Sequence, residues 1–458
     1  MRKIFSLIRQ ALSSEQQDYT SGSIRKAVFL LSLPMILEMS MESVFAVVDI
    51  FFVGELGKDA VTTVALTESM IMIFYSIAVG LSMAATALVA RRTGEKDPEG
   101  AARSAAQSIN IAIIITLIVS VVGVLLAPDI LALMGASKNV IAIGSGFTRT
   151  VFGSSIVIML LYLINGIFRG AGNPAMAMWS LWLANGCNII LCPILVHRYG
   201  VVGAAYATTI GRGIGVCFQL YHLFRGKGVV KLFRAYFIPD KALIRSILNI
   251  AWTGTTQFLI GSASWIVMTR IVSAFEETHP GSVAGYQVAI RIFLFFLLPA
   301  WGMSNAAATL VGQNLGAKRP DRAEQSVWTA VRLNGIFMLV VTLLFLVGAK
   351  AIVGFMNKDP EIEKVSLQAV HIVSIGYIIY GIGMVLTNAF NGAGDTRTPT
   401  LINLFCFWTF QIPLAYILAV WLNWGPLGVF CAIPITETVV TLSSWLIFRR
   451  GRWKEVKI

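Results

Sequence analysis

From Ala27 to Phe448 the chain alternates between long apolar blocks and short polar breaks. The apolar residues come in runs rather than in short strands or one-sided helices, and about 20 of them in a helix cross a bilayer core. Twelve such blocks lie near 27–53, 61–90, 104–127, 139–168, 175–196, 202–224, 246–273, 282–313, 326–350, 365–390, 400–422 and 426–448. The pattern predicts an all-α integral membrane protein with 12 transmembrane helices. The first block breaks its own rule. SLPMILEMSMESVFAVVDIFFVG, Ser32 to Gly54, holds Glu38, Glu42 and Asp49, and steps of four and seven put all three on one helix face. Glu68 follows in the second block, within ALTESMIMIF.

The polar breaks reveal a duplication. LSMAATALVARRTGEKDPEGAARS (81–104) and MSNAAATLVGQNLGAKRPDRAEQS (303–326) align without gaps at an offset of 222, and ten of twenty-four positions match. The same offset superposes Gly170-Ala-Gly172 on Gly392-Ala-Gly394. Each repeat holds six spans, and an even number returns the chain to the same side. The two six-helix lobes are therefore expected to relate by a pseudo-twofold axis along the membrane normal. The expected division is an N-terminal tail (1–26), an N-lobe (27–224), a linker (225–245), a C-lobe (246–448) and a C-terminal tail (449–458).

Composition fits this picture: hydrophobic residues make up 56% and charged residues 13% of 458, about half the charge of a soluble domain. A net charge of +13 suggests nucleic acid in a soluble protein, but here its distribution assigns topology. With the N-terminus inside, inner segments hold 25 Lys and Arg and outer loops six. That bias puts both termini in the cytoplasm, and no nucleic-acid partner is expected. The opening MRKIFSLIRQALSSEQQDYTSGS is polar and basic and reads as a tail rather than a secretory leader. Five cysteines, all in apolar segments, and four scattered histidines form neither a disulfide framework nor a metal-ligand spacing. HExxH, P-loop and GxSxG motifs are absent, so neither enzyme nor cofactor is expected.

Lipid-facing, ionised acids at the bilayer centre cost about 2.5–3.5 kcal/mol each. Glu38, Glu42, Asp49 and Glu68 must therefore face the interior, be paired or be protonated. Arg149 and Arg212 lie deep in the same half and are the expected partners, two bases for four acids. In the second half the seventh and tenth spans hold no acid, and Glu437 in the last span is the exception, open to coupling chemistry or to a helix-packing role with Thr436.

Several motifs then come together. FVGELGKDAVTTVAL after Asp49, the paired LVARRTG and LVGQNLG, the paired FRGAGNP and FNGAGDTRTP, and NIILCPILVHRYGVVGAAYAT (188–208) resemble the multidrug and toxic compound extrusion (MATE) family across nearly the whole chain. The resemblance implies two lobes around a V-shaped cavity, in an antiporter that expels amphipathic organic cations or other toxic compounds in exchange for protons or sodium. It puts the first-helix aspartate at Asp49, a helix bend at Pro34 and the coupling-site asparagine at Asn188. Many prokaryotic members carry a second aspartate four residues later, where this chain has Cys192. A sodium site near Asp49 and Asn188 thereby loses a hard oxygen ligand.

The expected function is multidrug efflux in exchange for H+, with Asp49, Glu42, Glu38, Glu68 and Asn188 as the cation-coupling set. Sodium coupling and a flippase for lipid-linked oligosaccharides on a related fold are the alternatives. A flippase favours a basic cavity for pyrophosphate, and this sequence concentrates acids. Flexible methionines and aromatic faces suit organic cations, which singles out Tyr75, Met159, Tyr162, Trp265, Gln287, Met303, Tyr377 and Tyr380 for the substrate cavity. The expected setting is a monomer in the plasma (inner) membrane.

Overall fold

Every apolar block forms helix, and no strand occurs among the described residues. The computed structural model describes residues 2–13, 17–54, 56–225, 228 and 230–458, apart from the side chains of 2–4, 46–51, 53 and 54. A short helix α1 (Arg2–Leu12) precedes α2 (Ile24–Gly54), α3 (Lys58–Gly94), α4 (Pro98–Leu125), α5 (Ala127–Leu133), α6 (Lys138–Gly153), α7 (Ser155–Gly170), α8 (Pro174–Tyr199) and α9 (Val201–Arg225). The second half follows with α10 (Lys241–Ser273), α11 (Ser282–Gly316), α12 (Pro320–Met356), α13 (Pro360–Ile375) and α14 (Tyr377–Ala393). It ends with α15 (Arg397–Trp421), which includes π-helical turns, and α16 (Pro426–Arg449). Breaks are set by local chemistry. Asp97 caps α4 through the Gly100 amide at 2.8 Å, with Pro98 as the first helical residue.

Among the described residues nine helices are long and apolar enough to cross a membrane alone, and the bent pairs α6+α7 and α13+α14 bring the number to eleven. α10 is the remaining rod of the expected twelve. Its 33 residues reach about 50 Å, but Asn249, Thr253, Thr255, Thr256, Gln257 and Ser264 dilute its apolar content. Part of that polarity serves helix contacts: Ser264 donates to Gln411 of α15 at 2.8 Å, and Thr253 Oγ1 bonds Thr396 Oγ1.

The duplication is legible in individual contacts. A Cβ at Gly94 would lie 1.9 Å from the Gln313 carbonyl oxygen, and one at Gly316 2.1 Å from the Arg91 carbonyl oxygen. Both pairs, 94/316 and 91/313, obey the offset of 222, so α3 and α11 cross as a reciprocal contact about the pseudo-twofold. Within each half the same rule holds, because Gly170 sits on the Thr86 carbonyl and Gly392 on the Ala308 carbonyl. Lys96 and Lys318 share the left-handed conformation at φ 59° and 56°. The kinks repeat as well: α6+α7 bend by 40° at Ser154 and α13+α14 by 57° at Gly376.

These crossings close one end of the molecule, the end that the Lys and Arg distribution assigns to the inner face. The first span joins the halves there, since Leu31 and Met35 of α2 pack with Leu310, Val327 and Phe390 of the second half. Two straps cover this end. Arg322 donates to the carbonyls of Ser21 and Gly22 at 2.7 and 2.8 Å, and Arg319 to that of Thr20 at 2.7 Å. On the other side the Arg91 guanidinium holds the Val456 carbonyl, while Ile458 packs against the core of the first half.

Candidate functional site

A cavity lined by both halves opens above this closed end. α2 supplies Glu38, Met39 and Glu42, and α7 supplies Tyr162, Asn165 and Arg169. Both sets follow from helical spacing, since residues three, four and seven apart share a face. Met83, Leu161, Leu298 and Trp301 make the apolar wall, and Asn305, Asn388 and Asn391 give the second half a polar but uncharged one.

Glu38 is 1% exposed. Its Oε1 accepts from Arg169 Nη1 at 2.9 Å and Asn165 Nδ2 at 3.0 Å. Arg169 Nη2 donates to Ser82 Oγ at 3.3 Å, and Gln219 donates to Asn165 Oδ1 at 2.6 Å, which fixes the amide's orientation. Oε2 of Glu38 is buried with no hydrogen-bond partner. A buried acceptor left this way costs about 1–3 kcal/mol, so it is the natural landing point for a proton or a donor on a guest.

Glu42, one turn on, is better solvated by the protein. Oε1 accepts from the Tyr162 hydroxyl at 3.1 Å, and Oε2 from Asn185 Nδ2 at 3.1 Å. Arg212 of α9 stands 3.6 Å from Oε1, an ion pair too long for a hydrogen bond, and donates instead to the Tyr75 hydroxyl at 2.7 Å. The Tyr75 and Tyr162 rings meet edge to face at 5.7 Å, and Arg212 also stacks over Phe45 and Tyr75.

The structure redraws the expected pairing. Arg212 faces an acid as anticipated, but Arg149 is exposed on α6 and makes no ion pair among the described residues. Its place is taken by Arg169, at the last turn of α7, which the residue tally had assigned to the inner segments. An arginine side chain is long enough to lie back along its own helix into the cavity. Each of the two central glutamates therefore has one guanidinium, so at the cavity two acids face two bases. Asn165, Asn185 and Gln219 were also missed. The signal was present on α7, where Tyr162, Asn165 and Arg169 form a polar stripe through an otherwise apolar span.

The other expected site residues scatter. The side chain of Asp49 lies outside the described residues. Glu68 is exposed on α3 and does not line the cavity. Asn188 is buried and donates to Thr208 at 2.9 Å, with Oδ1 unpartnered. Pro34 lies inside an uninterrupted helical assignment of α2. Of the eight substrate-cavity residues only Tyr162 lines the central space. Tyr75 stands behind it, Met159 is locked in the first-half core, Met303 is buried, and Gln287 is exposed. Trp265, Tyr377 and Tyr380 line a smaller pocket in the second half, together with Glu437. Thr436 does not pair with that acid but bonds the Ala432 carbonyl of its own helix at 2.8 Å.

Comparison with known proteins agrees with this geometry. The sequence profile of the MatE family matches residues 34–194 and 256–417. The probable multidrug resistance protein YoeA of Bacillus subtilis (strain 168) is 24% identical over 452 residues, covering 96% of this chain and 97% of that one. The multidrug export protein MepA of Staphylococcus aureus (strain MSSA476) is 24% identical over 444 residues, covering 95% and 96%. A solved outward-facing multidrug resistance MATE family transporter of the MOP superfamily superposes with a TM-score of 0.91 at 24% identity, covering 96% of this chain and 100% of that one.

Proposed function

The chain belongs to the MatE family, and from that premise we propose that it is a multidrug efflux antiporter that exports amphipathic organic cations in exchange for protons. Its proposed setting is the plasma membrane, with both termini in the cytoplasm. The names of the relatives support the export reading. The observation that carries the coupling is the cavity itself, with two carboxylates on one face of α2, each opposite a guanidinium. The Met and Trp wall suits an organic cation.

Charge bookkeeping gives the exchange its sign. With Glu38 and Glu42 ionised, Arg169 and Arg212 bring the local charge to zero, and a lipophilic monocation meets no repulsion. Protonating either acid leaves a guanidinium uncompensated, and at low dielectric a net positive wall repels the bound cation strongly. Proton uptake and substrate release are thus one electrostatic event. When one proton enters as one monocation leaves, the electrical contributions cancel, and the pH gradient supplies about 1.4 kcal/mol per pH unit. Asp49, seven residues beyond Glu42 in the sequence, is part of the proposed pathway.

Sodium coupling is a second reading, favoured by one observation: Asn188 Oδ1 is buried without a donor, a hard oxygen of the type that alkali cations use. Purified protein in proteoliposomes separates the two. Under an imposed pH gradient, inside-out efflux of ethidium is expected for wild type and lost in Glu42→Gln. Efflux driven by a sodium gradient alone overturns proton coupling.

A further inference from the structure

The last helix of each repeat matches at an offset of 225, not 222. Gly200 adopts φ 60°, ψ −143° and Gly425 φ 57°, ψ −141°. Gly203 presses on the Leu195 carbonyl, and Gly428 on the backbone of Leu418 and Ala419. Ala207 and Ile210 recur as Ala432 and Ile435. In this register Arg212 of α9 falls on Glu437 of α16. Both side chains are buried, so the duplication has kept a charge at this position and reversed its sign.

The surroundings changed with it. Arg212 has Glu42 and the Tyr75 hydroxyl. At the repeat position of Tyr75 stands Leu297, which lines the pocket around Glu437. That pocket is small and is walled by Trp265, Phe293, Val373, Tyr377 and Tyr380. No Lys, Arg or His lines it, and Glu437 forms no ion pair among the described residues. The titratable neighbours are Tyr377 and Tyr380 of α14 and Cys406 of α15, whereas α10, α11 and α13 present only Trp265, Phe293, Leu297 and Val373. The Tyr377 hydroxyl, 3% exposed with its residue, is itself without a hydrogen-bond partner.

We propose that this pocket is a second proton-binding site, in the half opposite the central carboxylates, with Glu437 as the group that carries the proton. An ionised carboxylate with no base in an aromatic box costs several kcal/mol, so a cation must accompany it. Hard metal ions gather about six oxygens, and the pocket offers side-chain oxygens from three residues. An organic cation of drug size needs the larger central space. The proton is the occupant that fits. Its arrival has a mechanical neighbour: Pro434, one turn before Glu437, abuts Gly376, where a Cβ would lie 2.6 Å from the Pro434 Cβ. Gly376 is the break at which α13+α14 bend by 57°, so the charge state of Glu437 bears directly on that kink.

Infrared difference spectroscopy of the whole chain in lipid nanodiscs, titrated with pH, reads a protonated carboxyl stretch directly. Wild type is expected to lose such a band as pH rises, Glu437→Gln to lack it, and Glu437→Asp to shift it. The aspartate variant serves also if the glutamine variant fails to fold. Identical titrating bands in wild type and either variant overturn the proposal. Sodium added at fixed pH is expected to leave the band unchanged, and its loss in wild type alone assigns the pocket to a metal cation and equally overturns the proposal. The readout is independent of antiport through the first half, since transport indifferent to pH leaves this band in place.

Discussion

At the scale of single residues, the pair Glu38–Arg169 decides how the central cavity is charged. Removing one partner of a buried ion pair typically costs about 3–5 kcal/mol, because the other charge is left without compensation. Arg169→Ala is therefore expected to lower stability by about that amount in denaturant unfolding followed by tryptophan fluorescence. Glu38→Gln in the same chain is expected to restore most of it, and a double mutant no more stable than Arg169→Ala contradicts the pairing. Tyr162→Phe removes the hydroxyl that donates to Glu42 at 3.1 Å. Its expected effect is a change in the pH at which transport is half-maximal with little loss of protein, measured in vesicles across a pH series.

Helices and their crossings form the next scale. Gly94 and Gly316 let α3 and α11 approach so closely that a Cβ would lie 1.9 or 2.1 Å from a backbone carbonyl of the other half. Backbone cannot yield as a side-chain tip does, so Gly316→Ala is expected to prise open the closed end. A cysteine introduced at Ala308, which lines the cavity, then reacts with a maleimide added on that side several-fold faster than in the parent with glycine retained. Equal rates contradict the assignment of this crossing as the closed gate. Much of this level was legible in the sequence, because gate glycines, left-handed lysines and helix breaks all follow the offset that a gapless alignment exposes. The cavity walls were less so. Glu38 and Glu42 stood out as acids in an apolar span, and α7 carried a readable polar stripe. Met159 and Met303, by contrast, sit in helices buried on several sides, where hydrophobicity alone does not separate the face toward a cavity from the face toward a neighbouring helix. Arg169 was misplaced for a related reason: its Cα marks the end of a span, while its guanidinium reaches back to Glu38.

The whole molecule behaves as two similar halves with different chemistry. Both present the same outward apolar ridge, Leu117, Ile118, Val121 and Leu125 on α4 against Leu339, Val340, Leu343 and Val347 on α12, all exposed and related by the offset of 222. Acyl chains suit such surfaces. Inside, the first half sets two acids against two arginines, and the second holds one acid without a base. In the proposed antiport the two ligands compete through a shared charge, and the paired carboxylates of α2 are the proposed seat of that competition. The most direct test is proton release on substrate binding to purified protein in weakly buffered detergent, followed with a pH-sensitive dye. Adding tetraphenylphosphonium is expected to release protons from wild type in proportion to the cation bound, and none from a variant carrying both Glu38→Gln and Glu42→Gln. Binding of the cation to wild type without any proton release contradicts the account.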